Sequence, residues 1–311
     1  MRNLRKKQKE IDFMEPNIDK KQMHKKVIFT NKVDHKHWVG DGFNVYGLLR
    51  PYENINKYIS PFIMLDYASP KEFPKTTTPK GVGEHPHRGF ETVTFAYQGE
   101  VEHRDSSGGG GVIKPGDVQW MTAGSGLVHD EFHSRDFCKT GGIFEMVQLW
   151  VNLPKKVKMT PPKYQSITNE NIPKIDIGNS SELRVISGSF NNTKGPASTF
   201  TEINIYDINA KQKDDFSLSF KKNTNTLILI MSGVLEIDDK KYSENELLIF
   251  DNEGDHIQVH NSENFKALIL NGAPINEPVA SHGPFVMNTR EEIIQAIDDF
   301  QSGKMGSLQA Q

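Results

Sequence analysis

Between residues 27 and about 273 the apolar positions fall in short runs of four to eight residues, without the three-to-four spacing of a helical stripe. The runs 92–97, 118–121, 144–151, 183–187, 226–231, 247–250 and 267–270 are apolar or β-branched, and Gly, Pro, Asn and Asp punctuate the gaps. This spacing and turn chemistry predict an all-β sandwich or barrel and argue against a βαβ fold. The pattern also echoes itself. TVTFAYQGEVEH (92–103) and LILIMSGVLEI (227–237) each read as an apolar strand, a glycine turn and a returning strand, and each is followed about 17 residues later by a further apolar strand. Two copies of one β-unit fit the length.

The stretch 155–174 carries Pro161, Pro162 and Pro173, with Pro154 just before it, and has little apolar pattern. Proline removes a backbone donor and restrains its neighbour, so an interdomain linker is expected here. After Pro274 one helix is predicted. Thr289 and Glu292 form a capping box, Ile293, Ile294, Ile297 and Phe300 supply an apolar stripe, and Gly303 can end the helix. The first 26 residues differ from the rest. Basic side chains such as Arg5, Lys6, Lys7, Lys20 and Lys25 outnumber Glu10, Asp12, Glu15 and Asp19, and large apolar groups are few, so a solvated tail is expected, with Met23 a plausible shorter start.

Charge and cysteine content narrow the function. Lys and Arg total 37 against 40 Asp and Glu, a net charge of −3 over 311 residues, which excludes a globally basic nucleic-acid surface. A single cysteine, Cys138, excludes an intramolecular disulfide framework and any multi-cysteine metal site. No apolar run nears the roughly 20 residues of a membrane helix, and the N-terminus lacks a signal-peptide pattern. A soluble, cytoplasmic protein is expected, with no membrane and no direct nucleic-acid partner.

The chemistry lies with the histidines. His85 and His87 flank Pro86, and on a strand the i, i+2 spacing puts both imidazoles on one face, roughly 6–7 Å apart at the backbone. His129 and Glu131 repeat that spacing about forty residues on. Two same-face pairs would supply three nitrogens and one oxygen, a donor set suited to Fe(II), Mn, Ni or Cu with two positions open on an octahedral ion. Glu91 competes for the carboxylate role if the chain bends at Gly89. Other features read more plainly. His35 and His37 are expected to be polar surface residues, residues 106–111 (SSGGGG) a flexible hairpin tip, and Cys138 an inert thiol. His103 could line a pocket, His133 could face its mouth or solvent, and Trp120 and Met121 are expected in the barrel core.

Residues 83–93 (GEHPHRGFETV) and 116–129 (GDVQWMTAGSGLVH), with 148–154 (QLWVNLP) and 282–289 (HGPFVMNT), resemble the pirin family of bicupins. The resemblance covers roughly residues 27–302 and implies two antiparallel cupin (jelly-roll) β-barrels with a C-terminal helix. The chain would then divide into a tail at 1–26, an N-terminal metal-binding cupin at 27–164, a linker at 165–175, a C-terminal cupin without metal at 176–287 and the helix at 288–303. It implies one metal, usually iron, held by His85, His87, His129 and Glu131, with Glu131 rather than Glu91 as the carboxylate. The C-terminal unit has no HxH before its Gly233 turn, and His256 and His260 are expected at its surface.

The resemblance further implies a quercetin 2,3-dioxygenase-type oxidoreductase. Its substrates would be O2 and a flavonol or related aromatic enol, whose hydroxyl proton Glu131 would accept, with Arg88 and Gln119 as orienting groups. The alternative it carries is a non-catalytic, iron-dependent redox-sensing module that contacts a protein partner, of the transcriptional co-regulator type.

Overall fold

The computed structural model describes residues 23–50 and 55–308, and is built from two similar barrels. The N-terminal barrel packs a seven-stranded sheet against a four-stranded one. The seven run in the order Lys163–Ile167, Val118–Thr122, Phe90–Gln98, Gly142–Asn152, Phe62–Phe73, Phe43–Leu49 and His37–Val39. The four run Gly81–His87, Leu127–His133, Val101–Asp105 and Gly110–Ile113. The C-terminal barrel repeats the same seven-plus-four arrangement, which is the structural form of the internal echo. Every strand pairing is antiparallel apart from three isolated bridges. No helix among the described residues is long and apolar enough to cross a membrane.

Uninterrupted apolar strands arise because the large sheets are buried on both faces. Leu227 and Leu229 join Leu268, Leu270, Val93, Phe95, Trp120, Val147 and Leu149 in one core shared by the two seven-stranded sheets. Ile228 and Ile230 point the other way, into the C-terminal barrel, against Leu248, Phe250, Ile257 and Val259. Trp120 therefore fills the seam between the barrels, not the inside of its own barrel as expected. Alternation makes the two interiors different. In the N-terminal barrel the residues that alternate with Val93, Val147 and Leu149 are Thr94, Gln148 and Trp150, and the last two line an open cavity where the C-terminal barrel is filled with hydrocarbon.

Connectivity departs from the expected division at both ends and at the linker. Val27–Lys32 pairs with Glu246–Phe250, so this strand extends the C-terminal sheet, not the N-terminal one. Residues 1–22 lie outside the described residues, but 23–26 of the expected tail are docked. Lys25 is buried, and its Nζ donates to the carbonyls of Thr224 at 2.8 Å and Asp251 at 3.0 Å. Lys163–Ile167 pairs with Val118–Thr122 and Lys174–Ile177 with Ser181–Ser187, which confines the crossover to 168–173. Pairing partners so far apart in sequence leave no local periodic trace.

After the C-terminal barrel the chain returns to the N-terminal one. The hairpin of Ala280–His282 and Phe285–Met287 leads into helix Arg290–Gln301, where Thr289 and Glu292 make the capping box. Ile293 and Ala296 pack with Val128, Phe285 and Met305, while Ile294 and Phe300 of the expected stripe stay exposed. Asp299 on this helix forms a partly buried ion pair with the buried Arg88 at 2.8 Å.

Candidate metal centre

Strand Leu127–His133 lies between Gly81–His87 and Val101–Asp105. The pairing sets His129 opposite His85 on one side and Asp105 on the other, and Glu131 opposite His103. A register shift between His129 and Glu131 along the Gly81–His87 edge bends the strand locally. Side chains on this face converge. The ligand atoms of His85, His87 and His129 lie within 4.8 Å of one another, and so do those of His103, His129 and Glu131. His129 belongs to both groups. Glu131 also lines one cavity with His85 and His87. The four sequence candidates thus share one site, to which the structure adds His103.

Hydrogen bonds set which imidazole nitrogen is free. Nδ1 of His85 lies 2.8 Å from the Gly83 carbonyl, and Nδ1 of His87 lies 3.2 Å from the Pro284 carbonyl. A carbonyl only accepts, so both rings carry hydrogen on Nδ1, which in the neutral imidazole puts the lone pair on Nε2. Nε2 of His129 is buried with no hydrogen-bond partner. Burial, reinforced by the neighbouring imidazoles, pushes the His129 pKa far below its ordinary value and that of His87 down to about 3. These rings are neutral, with lone pairs facing a common space. An orphaned buried nitrogen among neutral imidazoles and a carboxylate fits a metal ion, which would satisfy all of them at once.

Glu131 is held by amides. Gln119 Nε2 donates to its Oε1 at 2.8 Å and Gln148 Nε2 to its Oε2 at 3.4 Å. Each amide is itself oriented, since Tyr164 Oη donates to Gln119 Oε1 at 3.2 Å and Thr94 Oγ1 to Gln148 Oε1 at 2.6 Å. The sequence expectation for Gln119 matches this contact. Arg88 does not join it: its guanidinium donates to the Ser125 carbonyl and to Asp299.

Beyond the cluster lies a cavity of about 270 Å³ with apolar walls that include Val39, Phe43, Met64, Met146 and Trp150. A second lobe of about 370 Å³ shares Val39, Met64, Asp66 and Trp150 and adds His37 and Arg50. The ion pair of Arg50 with Asp66, at 2.5 Å, stands where the lobes meet.

Several candidates lie elsewhere. His133 faces neither pocket mouth nor solvent. It stacks on Phe144 at 4.3 Å between centroids, edges onto Phe73 and Phe43, and bonds the Gly42 carbonyl. Burial lowers its pKa to about 4. The aromatic partners come from three other strands, which the local sequence does not reveal. His35 is exposed, while His37 borders the outer lobe. His256 bonds Ser217, and the exposed His260 pairs with Asp215. Cys138 is a buried free thiol. The 106–111 turn is pinned by Asp105, whose Oδ1 accepts from the backbone of Ser107 and Gly109. The sequence signal missed was the i, i+2 spacing of His103 and Asp105, the same spacing that singled out His85 and His87.

Glu91 lies in neither ligand group and accepts from the Thr122 hydroxyl at 2.7 Å. Burial raises its pKa from 4.5 to about 7. The unfolded chain therefore releases this proton at lower pH than the folded chain, and the contribution of Glu91 to stability is lost between about pH 4.5 and 7. Glu91→Gln removes that slope. Relative to the parent, the variant should gain roughly 1–3 kcal/mol between pH 4 and pH 8 in paired denaturation curves, with metal content unchanged. Loss of metal in this variant would return the carboxylate role to Glu91.

Comparison with known proteins agrees with this architecture. The pirin family model matches residues 43–151, and the model of the pirin C-terminal cupin domain matches 205–306. A Pseudomonas aeruginosa protein provisionally named a quercetin 2,3-dioxygenase is 45% identical over 90% of this chain and 98% of its own. A pirin-like protein of Solanum lycopersicum is 36% identical over 80% of this chain and 81% of its own. The crystal structure of an Acinetobacter baumannii quercetin 2,3-dioxygenase superimposes with a TM-score of 0.89 at 49% identity, covering 92% of this chain and all of that one.

Proposed function

Because this chain belongs to the pirin family, we propose that it holds one metal ion, Fe(II) in the cell, on His85, His87, His129 and Glu131, and oxidatively cleaves a flavonol or related aromatic enol with O2. The observation that carries this reading is the convergence of three imidazoles with free Nε2 atoms, one of them buried without a partner, beside a carboxylate at the head of an apolar cavity. Similarity to proteins named for quercetin 2,3-dioxygenase activity supports the substrate class. When bound, the metal supplies Lewis acidity toward an enol oxygen and one-electron chemistry toward O2.

The chain supplies the rest. Glu131 is positioned to accept the substrate hydroxyl proton on Oε2, where among the described residues only the long contact from Gln148 competes. The shorter contact from Gln119 keeps Oε1 pointing into the site. Trp150, Met64 and Val39 border both lobes, so one aromatic ring can lie near the imidazoles while a second reaches toward Arg50 and Asp66. These apolar walls exclude water around the reacting ring. The C-terminal barrel is read as metal-free because its interior is filled by Ile228, Ile230, Leu248 and Phe250. We place the reaction in the cytoplasm, where a reducing environment keeps iron ferrous.

The test is to load the protein with Fe(II) without oxygen, admit air and quercetin, and follow flavonol absorbance with carbon monoxide release. Decay and release are expected from loaded protein only. No decay above the metal-free protein would contradict a dioxygenase and favour a metal-dependent binding module.

A further inference from the structure

We propose that His103 and Asp105 form an orienting arm for the His129 imidazole, fixing its tautomer and ring plane so that Nε2 is left free for the metal; this rests on the metal reading above. The rings on strand Gly81–His87 are oriented by backbone carbonyls, from Gly83 and Pro284. Among the described residues no backbone carbonyl meets the His129 ring. Its Nδ1 instead lies 3.2 Å from Nδ1 of His103, and one of the two nitrogens must donate.

Asp105 decides which one. Its Oδ1 accepts from the backbone of Ser107 at 2.8 Å and of Gly109 at 3.0 Å, and from the Ser107 hydroxyl. Three donors on one oxygen favour the ionised, acceptor-only carboxylate. Its Oδ2 lies 3.3 Å from His103 Nε2, in a fully buried pair of side chains. His103 therefore carries a hydrogen on Nε2, and the neutral ring then presents its lone pair at Nδ1. His129 must then donate from Nδ1, which leaves Nε2 as the lone-pair nitrogen, the same atom the structure leaves buried without a partner. Tyr164 stacks on His103 at 5.2 Å and 13° between planes, which fixes the plane of the His103 ring. Both nitrogens of His103 are thus committed. Although it sits within ligand distance of His129 and Glu131, it acts as a positioning residue and not as a metal donor. Partners of this kind are worth about 10–100-fold in metal affinity.

The experiment has two readings. On metal-free protein, ¹⁵N shifts of the His129 ring report its tautomer directly, and the Nδ1–H form is expected. On protein titrated with Co(II) against a competing chelator, His103→Leu should weaken affinity about 10–100-fold and alter the visible Co(II) spectrum. His103→Gln should restore most of both, because the amide oxygen can accept from His129 while its nitrogen can donate to Asp105. An Nε2–H tautomer in the parent protein overturns the proposal, as does unchanged Co(II) affinity in His103→Leu. Equal, complete loss of Co(II) in His103→Gln and His103→Leu overturns it in favour of His103 as a ligand. Parent protein that binds no Co(II) would refute the metal reading, while the tautomer of His129 still decides the orienting arm.

Discussion

Replacing His129 with alanine should reduce bound iron to near background in protein that still folds. His129 is the residue common to both ligand groups, on the strand that joins the other two at the site. A full set of four protein ligands yields roughly 10–16 kcal/mol in a structural zinc site. Losing a quarter of that corresponds to about 100- to 1,000-fold in affinity. The fold should tolerate the change, because burial keeps the ring neutral and its one hydrogen bond among the described residues is to His103. Metal content by mass spectrometry on gel-filtered protein is the readout, with His256→Ala as control, since His256 bonds Ser217 in the other barrel. Full iron content in His129→Ala would mean that the ion sits elsewhere.

Glu131→Gln should separate binding from chemistry. The amide keeps the size of the side chain but cannot carry the negative charge or take the substrate proton. The three imidazoles remain, so iron binding should weaken only in part. Flavonol turnover per bound iron should fall about 100- to 10,000-fold, the usual contribution of a positioned base. Oxygen uptake normalised to metal content checks this. Parental turnover per iron would exclude Glu131 as the proton acceptor.

The all-β architecture and the doubled unit are legible in the sequence because strand burial is local. An unbroken run such as 226–231 requires cover on both faces, and the structure provides it through two separate cores. The site histidines are legible for the same reason: an i, i+2 pair shares a face whatever the strand pairs with. What depends on distant pairing is not legible. Val27–Lys32 crosses to the C-terminal sheet, and the Pro284 carbonyl returns from the far end of the chain to fix His87. Spacing alone also left Glu91 and Glu131 as rivals. In the structure Glu131 shares a ligand group with His103 and His129, whereas Glu91 is held by the Thr122 hydroxyl.

Anomalous diffraction from crystals of the iron-loaded protein, recorded on both sides of the iron absorption edge, tests the metal site most directly. A single peak is expected, enclosed by Nε2 of His85, His87 and His129 and the Glu131 carboxylate. A peak on the His103 side of His129, a peak inside the C-terminal barrel, or no ordered peak in protein that carries stoichiometric iron would contradict it.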